Sequence, residues 1–322
     1  MHADQKPIVP PTLNPERFSF WEAPAERGLS GGGDRPETAL PQVLLPVSHA
    51  DLEDGEPSDA AIGQGIYDYL RQFPDCPHNR VYAGLLQEAF PHFLTDLASQ
   101  AVLLDAKDVE TVYIRRKLTG LKILALVEAD NVGLLLQLCR GFYELALAFE
   151  ELGSCRRHLL QAMRYGQELL KVSPENPHAL NMLAEIDIMF GDFPGADNKW
   201  RRILDHSDDQ VDKDRISSRK QQYVGRPWLE NTLVDDLESV GKALELYAAG
   251  QYQLALAILE RVEEIGLLPH DLPSADYFYL LGMCRLKNGL EPEAGRALQR
   301  SLELDPQHLP ARDALAIFRQ EG

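Results

Sequence analysis

The chain has 322 residues, with 32 Lys and Arg against 50 Asp and Glu, which gives a formal net charge of −18. Hydrophobic residues make up 44% and charged residues 25% of it, the proportions of a soluble folded protein. Nucleic acid and anionic lipid are polyanions, so the negative charge disfavours non-specific binding to either. We therefore expect a protein partner, and neither nucleic acid nor a membrane.

The N-terminal residues and the cysteines predict a cytoplasmic protein. Residues 1–15 contain no basic segment followed by an apolar core, so no secretory signal is expected. The most apolar stretch, 132–149, is interrupted by Arg140 and Glu144, so no membrane span is expected. Four cysteines are too few for a disulfide scaffold.

Two Cys–His pairs raise the question of a metal site. They are Cys76 with His78, and Cys155 with His158. Zinc needs four converging ligands, and neither pair has a partner pair at suitable spacing. The sequence therefore predicts no metal and no other cofactor.

Residues 1–62 have their own composition. They contain nine of the 21 prolines, four basic and eleven acidic residues, for a net charge of −7. Proline blocks helices and the charge opposes collapse, so we predict a disordered tail. Its aromatic residues Phe18, Phe20 and Trp21 either dock on a partner or pack back on the chain's own folded part.

From residue 63 onward the pattern is helical. Apolar residues recur at i, i+3, i+4 and i+7, without a convincing run of period-two alternation. Breaks at proline or glycine are often about 15–20 residues apart, which predicts helices of three to four turns. The last of them, 308–319, is predicted to cap the array. The sequence thus predicts an all-α series of helical hairpins.

Three turns share one pattern, a glycine followed five residues later by alanine. The pairs are Gly191 and Ala196, Gly250 and Ala255, and Gly289 and Ala294. Glycine ends a helix by adopting a left-handed conformation. The small alanine lets the second helix approach the first. The pattern therefore predicts three tight helix–turn–helix units.

The last unit extends in both directions. Relative to Gly282, it has Phe278 and Leu281 at −4 and −1, and Leu298, Leu302 and Pro306 at +16, +20 and +24. In these positions it resembles the tetratricopeptide repeat (TPR) family, whose unit has 34 residues.

The resemblance implies a right-handed superhelical array of helical hairpins, a TPR-like solenoid. It covers roughly residues 91–322, with repeats at 131–205 and 231–322. Residues 63–130 form a helical segment of degenerate repeats, or helical repeats of another family.

The resemblance also implies a concave groove, lined by first helices, that binds a peptide or helix. The groove positions carried over to this chain are Tyr143, Asn181, Glu185, Val240, Leu244, Tyr247, Tyr279 and Met283. They are mostly apolar or acidic, whereas family members that capture a C-terminal carboxylate use Lys, Arg and Asn there. We therefore expect the partner to present an apolar or basic segment. The alternative for any one position is a core residue between helices.

Residues 206–230 interrupt the repeat. They begin acidic and become basic, and the basic patch consists of Arg215, Arg219, Lys220 and Arg226. We predict a mobile insert loop, with partner binding or RNA contact as further roles. RNA is the less compatible choice, because the surrounding array is acidic.

No catalytic motif occurs, so we predict a non-enzymatic scaffold or adaptor that holds a partner in its groove. Two alternatives stay open. One is a regulatory protein that senses a small ligand or peptide and controls an enzyme or transcription complex. The other is a structural subunit of a larger assembly, anchored by the tail aromatics. The sequence leaves the oligomeric state open.

Overall fold

The structure is a computed structural model. It describes residues 15–29, 38–52, 55–103, 111–206, 209–223, 226 and 231–321. Parts of the predicted tail and of the predicted insert loop lie outside these ranges. The chain divides into two compact units, Met1–Leu138 and Cys139–Gly322.

The first unit begins with four short strands: β1 Phe18–Trp21, β2 Gly28–Leu29, β3 Thr38–Ala39 and β4 Leu45–Ser48. Strand β1 pairs antiparallel with β4, and β2 pairs antiparallel with β3. Its helices are α1 Asp59–Gln72, α2 Asn79–Ala89, α3 Pro91–Leu103 and α4 Thr111–Val127. Helix α5, Val132–Leu147, crosses from the first unit into the second.

The prediction of a disordered tail over residues 1–62 is wrong for the part that the structure describes. Leu45 and Val47 of β4 are fully buried in one core with Ile62 and Ile66 of α1. Strand and helix approach so closely that a Cβ on Gly65 would lie 2.4 Å from the Pro46 carbonyl oxygen. Apolar burial on α1 compensates for the proline content and charge of the segment.

The second unit continues with helices of up to 18 residues: α6 Cys155–Val172, α7 Pro177–Met189, α8 Phe193–His206, α9 Gln210–Gln221, α10 Leu233–Ala248, α11 Tyr252–Ile265, α12 Leu268–Asp271, α13 Ala275–Lys287, α14 Glu291–Leu304 and α15 Leu309–Glu321. Consecutive helices pair as the hairpins α7–α8, α10–α11 and α13–α14. The predicted all-α array of TPR-like hairpins is confirmed.

The three predicted turns have the predicted geometry. Gly191, Gly250 and Gly289 have φ values of +76°, +75° and +75°. At each turn the glycine N–H donates to the carbonyl three residues back, and the next N–H donates to the carbonyl five residues back. This is the Schellman ending of a helix, which requires the left-handed conformation. The alanines at 196, 255 and 294 are fully buried, so the two helices of each hairpin pack closely.

Gly153 differs from these three glycines. Helix α5 ends at Leu147, Ala148 is extended, and a 3₁₀ segment follows at Phe149–Ser154. Among the described residues, Gly55 is the one further glycine with positive φ, so Gly153 is not a left-handed helix end. The 3₁₀ segment packs instead against α10, where a Cβ on Gly241 would lie 2.1 Å from the Gly153 nitrogen.

The predicted insert loop contains helix α9, so the loop prediction is wrong for the part of it that is described. The Asp209 side chain caps the helix by accepting the Val211 N–H at 2.8 Å. Ile216 in the helix and Tyr223 beyond it are buried. The cap and these two buried side chains help to order a segment that is otherwise polar.

No single helix in the described ranges has both the length and the apolar composition to cross a membrane. The segments Val132–Leu147 and Phe149–Val172 satisfy the requirement only together, and they are bent by 104° at their junction.

Candidate partner-binding surface

The second unit contains an apolar pocket of about 270 Å³. Its lining comes from the end of α5, the 3₁₀ segment, α10, α12 and the start of α13. We call it the apolar pocket, lined by Leu147, Phe149, Leu152, Leu237, Val240, Leu268, Leu272, Pro273, Ser274, Asp276 and Tyr277. Leu237 and Val240 form a buried floor, while Leu272 is half-buried and Pro273 is exposed. The pocket therefore reaches the surface.

A buried carboxylate fixes the α12 wall of the pocket. Asp236 of α10 accepts the backbone N–H of Leu268 at 3.0 Å and that of Leu267 at 2.5 Å. Burial raises the pKa of Asp236, and these two hydrogen bonds oppose the increase. The same side chain would lie 2.8 Å from a Cβ on Gly266, so α12 is held tightly against α10.

The rim of the pocket near α13 is polar and acidic. His308 Nδ1 accepts the Ala311 N–H at 3.1 Å, so its Nε2 carries the proton and donates to Asp276 at 3.1 Å. The Asp276 side chain is nevertheless 49% exposed. The rim thus offers a partner an accessible carboxylate beside an apolar floor.

Of the predicted groove positions in α10 and α13, Val240 alone lines this pocket. Val240 is fully buried in its floor. Leu244 and Met283 are half-buried. Tyr247 packs on Tyr252, with ring centroids 5.2 Å apart, and Tyr279 packs on His308 at 5.3 Å.

The predicted groove positions in α5 and α7 have partners within the chain. The Asn181 side-chain oxygen accepts the Trp200 Nε1–H at 3.1 Å and so joins α7 to α8. Glu185 binds Arg219 of the insert through three N–H···O contacts of 2.7–3.2 Å. Burial, followed by the charge of Glu185, raises the pKa of Tyr143 to about 12. Glu185 and its surroundings are therefore occupied by the chain itself.

The four charges of the predicted basic patch all have acidic partners in the chain. Arg219 binds Glu185, Lys220 lies 2.9 Å from Asp197, and Arg226 binds Asp271 at 2.5 and 3.2 Å. The fourth pair, Arg215 with Asp212 at 2.8 Å, is exposed on α9. Three of the four charges therefore hold the insert on neighbouring helices, and a partner-binding role of the patch stays a prediction.

The tail aromatics pack on the chain's own folded part, in the first unit, which is the second of the two possibilities that the sequence left open. Phe18 is buried and Trp21 packs against the core. Phe20 is 49% exposed, and its ring meets Tyr69 edge-on at a centroid distance of 5.5 Å. Of the three, Phe20 is the side chain that remains accessible.

The Cys–His pair of α6 is buried rather than open. Burial raises the pKa of the Cys155 thiol to about 12. His158 Nε2 lies 3.2 Å from a Glu151 carboxylate oxygen. In the described part of the chain no group of three or more His, Cys, Asp or Glu side chains is arranged to hold a metal ion.

Sequence reasoning missed Asp236 and the whole of the α12 wall. Asp235 could have been recognised, because Thr232 and Asp235 form a capping box at the start of α10. Its neighbour Asp236 has no such signature. Its partners are backbone groups about thirty residues away, at Leu267 and Leu268.

The hairpins and their left-handed glycines define the class of protein. The chain is an all-α helical-repeat protein with tetratricopeptide-like hairpins.

No family model matches the chain, and no curated protein matches it. Similar solved structures include a tetratricopeptide repeat protein from Parabacteroides merdae, at 15% identity over 81% of this chain and 92% of that one, with a TM-score of 0.32. A thermophilic TPR protein of Thermus thermophilus is 15% identical over 70% and 99%, with a TM-score of 0.27. MamA (41-end) from Desulfovibrio magneticus is 19% identical over 55% and 84%, at 0.24. Scores of this size say nothing about partners or activity.

Proposed function

We propose that the chain is a non-enzymatic protein–protein interaction module, a scaffold or adaptor. In this proposal it binds an apolar segment of a partner protein in the apolar pocket. The observation that carries the proposal is the pocket itself, in which a buried Leu237 and Val240 floor opens between α12 and α13. Such a floor accepts an anchoring side chain of the partner. A few anchors of this kind supply most of the binding energy of an interface.

The volume of the pocket is compatible with the proposed occupant. One large apolar side chain of a peptide fits into about 270 Å³. Metabolite sensing is the alternative that the peptide experiment below is set against.

Charge favours a partner segment with basic residues next to its apolar anchor. Residues 231–322, which contribute most of the lining, have eight basic and fifteen acidic residues, for a net charge of −7. The exposed Asp276 on the rim points to the same chemistry. As part of the proposal we place the protein in the cytoplasm, which suits its four free thiols.

The experiment is selection of a random peptide library on the full chain. The Leu272→Trp variant should fill the pocket, and Leu254→Trp, at a site 58% exposed on α11, is the matched control. We expect enriched peptides with an apolar anchor flanked by Lys or Arg, bound at least about tenfold more weakly by L272W. L254W should bind them like wild type. Peptides that bind L272W undiminished, with the variant folded by circular dichroism, would contradict the proposal.

A further inference from the structure

Three side chains of the insert contact one another and neighbouring helices of the second unit. Arg219 and Arg226 lie over the ring of Tyr223, with guanidinium carbons 4.9 and 4.8 Å from its centroid. Each guanidinium also binds a carboxylate, Glu185 or Asp271. We call Arg219, Tyr223 and Arg226 the Arg–Tyr–Arg clamp.

The surface under the clamp has matching chemistry. Glu185 of α7 and Asp271 of α12 have side chains only 18% and 13% exposed. The Tyr223 ring stacks on Phe193 at a centroid distance of 5.8 Å, and Trp200 lies at 6.4 Å. This receiving surface therefore presents an aromatic patch and two sheltered carboxylates, each of which accepts a guanidinium.

Besides the clamp, the Lys220–Asp197 ion pair at 2.9 Å and the buried Ile216 secure the insert helix. Within α9 only Ile216 is buried, whereas Val211 is 77% exposed. Ion pairs and one stacked ring can be exchanged for equivalent groups of a partner, because the exchange replaces each contact with one of the same kind. A large apolar interface would not permit that exchange at low cost.

We infer that the clamp residues act as an intramolecular ligand of the receiving surface, and that a partner segment with basic, aromatic and basic residues in the same order competes for it. The inference rests on the proposed function in assuming a protein partner. It goes beyond that function by giving the chemistry of a second contact with the partner, at the receiving surface, and by making access to that surface depend on the insert. Asp271 ends α12, and its neighbour Leu272 lines the apolar pocket, so displacing Arg226 frees a carboxylate next in sequence to a pocket residue.

The test uses the full chain and a fluorescent peptide of residues 209–226, with binding measured by anisotropy. A tethered segment competes at an effective concentration of about millimolar, so wild type should bind micromolar peptide poorly. The double variant Arg219→Glu/Arg226→Glu repels its own insert from Glu185 and Asp271. It should bind the peptide at least about tenfold more tightly than wild type. Adding Glu185→Arg should remove that gain.

Arg215→Glu is the matched control, because it reverses a charge on the same helix at an exposed pair with Asp212. It should leave peptide binding at the wild-type level. The inference is overturned if the double variant is folded by circular dichroism and binds the peptide no better than R215E does.

A second measurement tests the inference on wild type, so it still decides if the double variant does not fold. Wild type is saturated with isotope-labelled peptide and its hydrogen exchange is followed by mass spectrometry. Faster exchange in 210–221 supports displacement, and unchanged exchange overturns it. L272W separates the two proposals, because filling the apolar pocket should weaken library-peptide binding at least about tenfold without affecting binding of the 209–226 peptide.

Discussion

Glu185 and Arg219 are 34 residues apart in sequence and are joined by three N–H···O contacts. Thirty-four residues is one tetratricopeptide unit. Helix α9 packs on α8 much as α7 packs on α6 and α13 packs on α11. The insert helix therefore stands where the next first helix of the array would begin, although it lacks the apolar pattern of one.

The first prediction concerns the strength of this pair. Both side chains are largely sheltered, so a double-mutant cycle of Glu185→Ala and Arg219→Ala should give a coupling energy of about 1.5–3 kcal/mol. The exposed pair Asp212 and Arg215 should give about 0–1 kcal/mol in the same cycle. Urea unfolding measures both. Equal coupling for the two pairs would show that Glu185 does not hold the insert.

The turns of the array were predictable because their causes are local. A left-handed helix end depends on one residue, so Gly191, Gly250 and Gly289 could be recognised from spacing alone. Gly153 lacks this geometry, and beside it Gly241 lets α10 approach the 3₁₀ segment closely. A glycine that permits close approach and a glycine that turns the chain look the same in a sequence.

The tail and the insert were mispredicted for a different reason. Their compositions are polar or proline-rich, and their order comes from distant partners. Val47 is buried in a core that it shares with α1, and Arg226 binds Asp271 of α12. Composition averages over a segment, whereas folding of these segments depends on a few long-range contacts.

The groove positions stay a prediction, and one of them, Val240, lies in the floor of the apolar pocket. The opposite wall comes from α12, whose place is set by the Asp236 carboxylate, and no repeat pattern contains that helix.

The second prediction tests the left-handed turns. A Cβ on Gly250 would have no atom within 4 Å, so a substitution there acts through backbone strain alone. Gly250→Ala should lower the free energy of unfolding by about 1–2 kcal/mol. Gly250→Asn should cost less, since asparagine tolerates this conformation better. Thermal or urea unfolding ranks wild type and the two variants by stability. An alanine variant as stable as wild type would contradict the prediction.

The third prediction concerns thiol reactivity. Burial raises the pKa of Cys139, Cys155 and Cys284 to about 12 each. Cys76 is only half-buried, although burial raises its pKa too. Because the thiolate is the reactive form, a thiol reagent at about pH 8 should modify at most one cysteine of the native chain.

Unfolding should expose all four thiols to the reagent. Cys76→Ser should remove the native reaction and Cys284→Ser should leave it in place, as followed by intact mass. Rapid native modification at Cys139, Cys155 or Cys284 would contradict the burial of these thiols.

The last prediction uses two adjacent carboxylates whose pKa values shift in opposite directions. Burial raises the pKa of Asp236 above its usual range. Burial would also raise that of Asp235, but hydrogen bonds from Thr232 and the charge of Arg156 outweigh it and lower the pKa. The folded chain thus binds the Asp236 proton more tightly than the unfolded chain does, and the Asp235 proton more weakly.

Linkage turns these shifts into slopes of stability against pH. As the pH rises from about 4 through the folded pKa of Asp236, wild type should lose stability relative to Asp236→Asn, by at most about 1.4 kcal/mol per pH unit. Asp235→Asn is the control with the opposite sign. As the pH rises toward about 4, the stability of wild type should increase relative to that of Asp235→Asn. Urea unfolding at several pH values measures both differences. A flat difference for Asp236→Asn would mean that the carboxylate holding α12 in place ionises as freely in the folded chain as in the unfolded one.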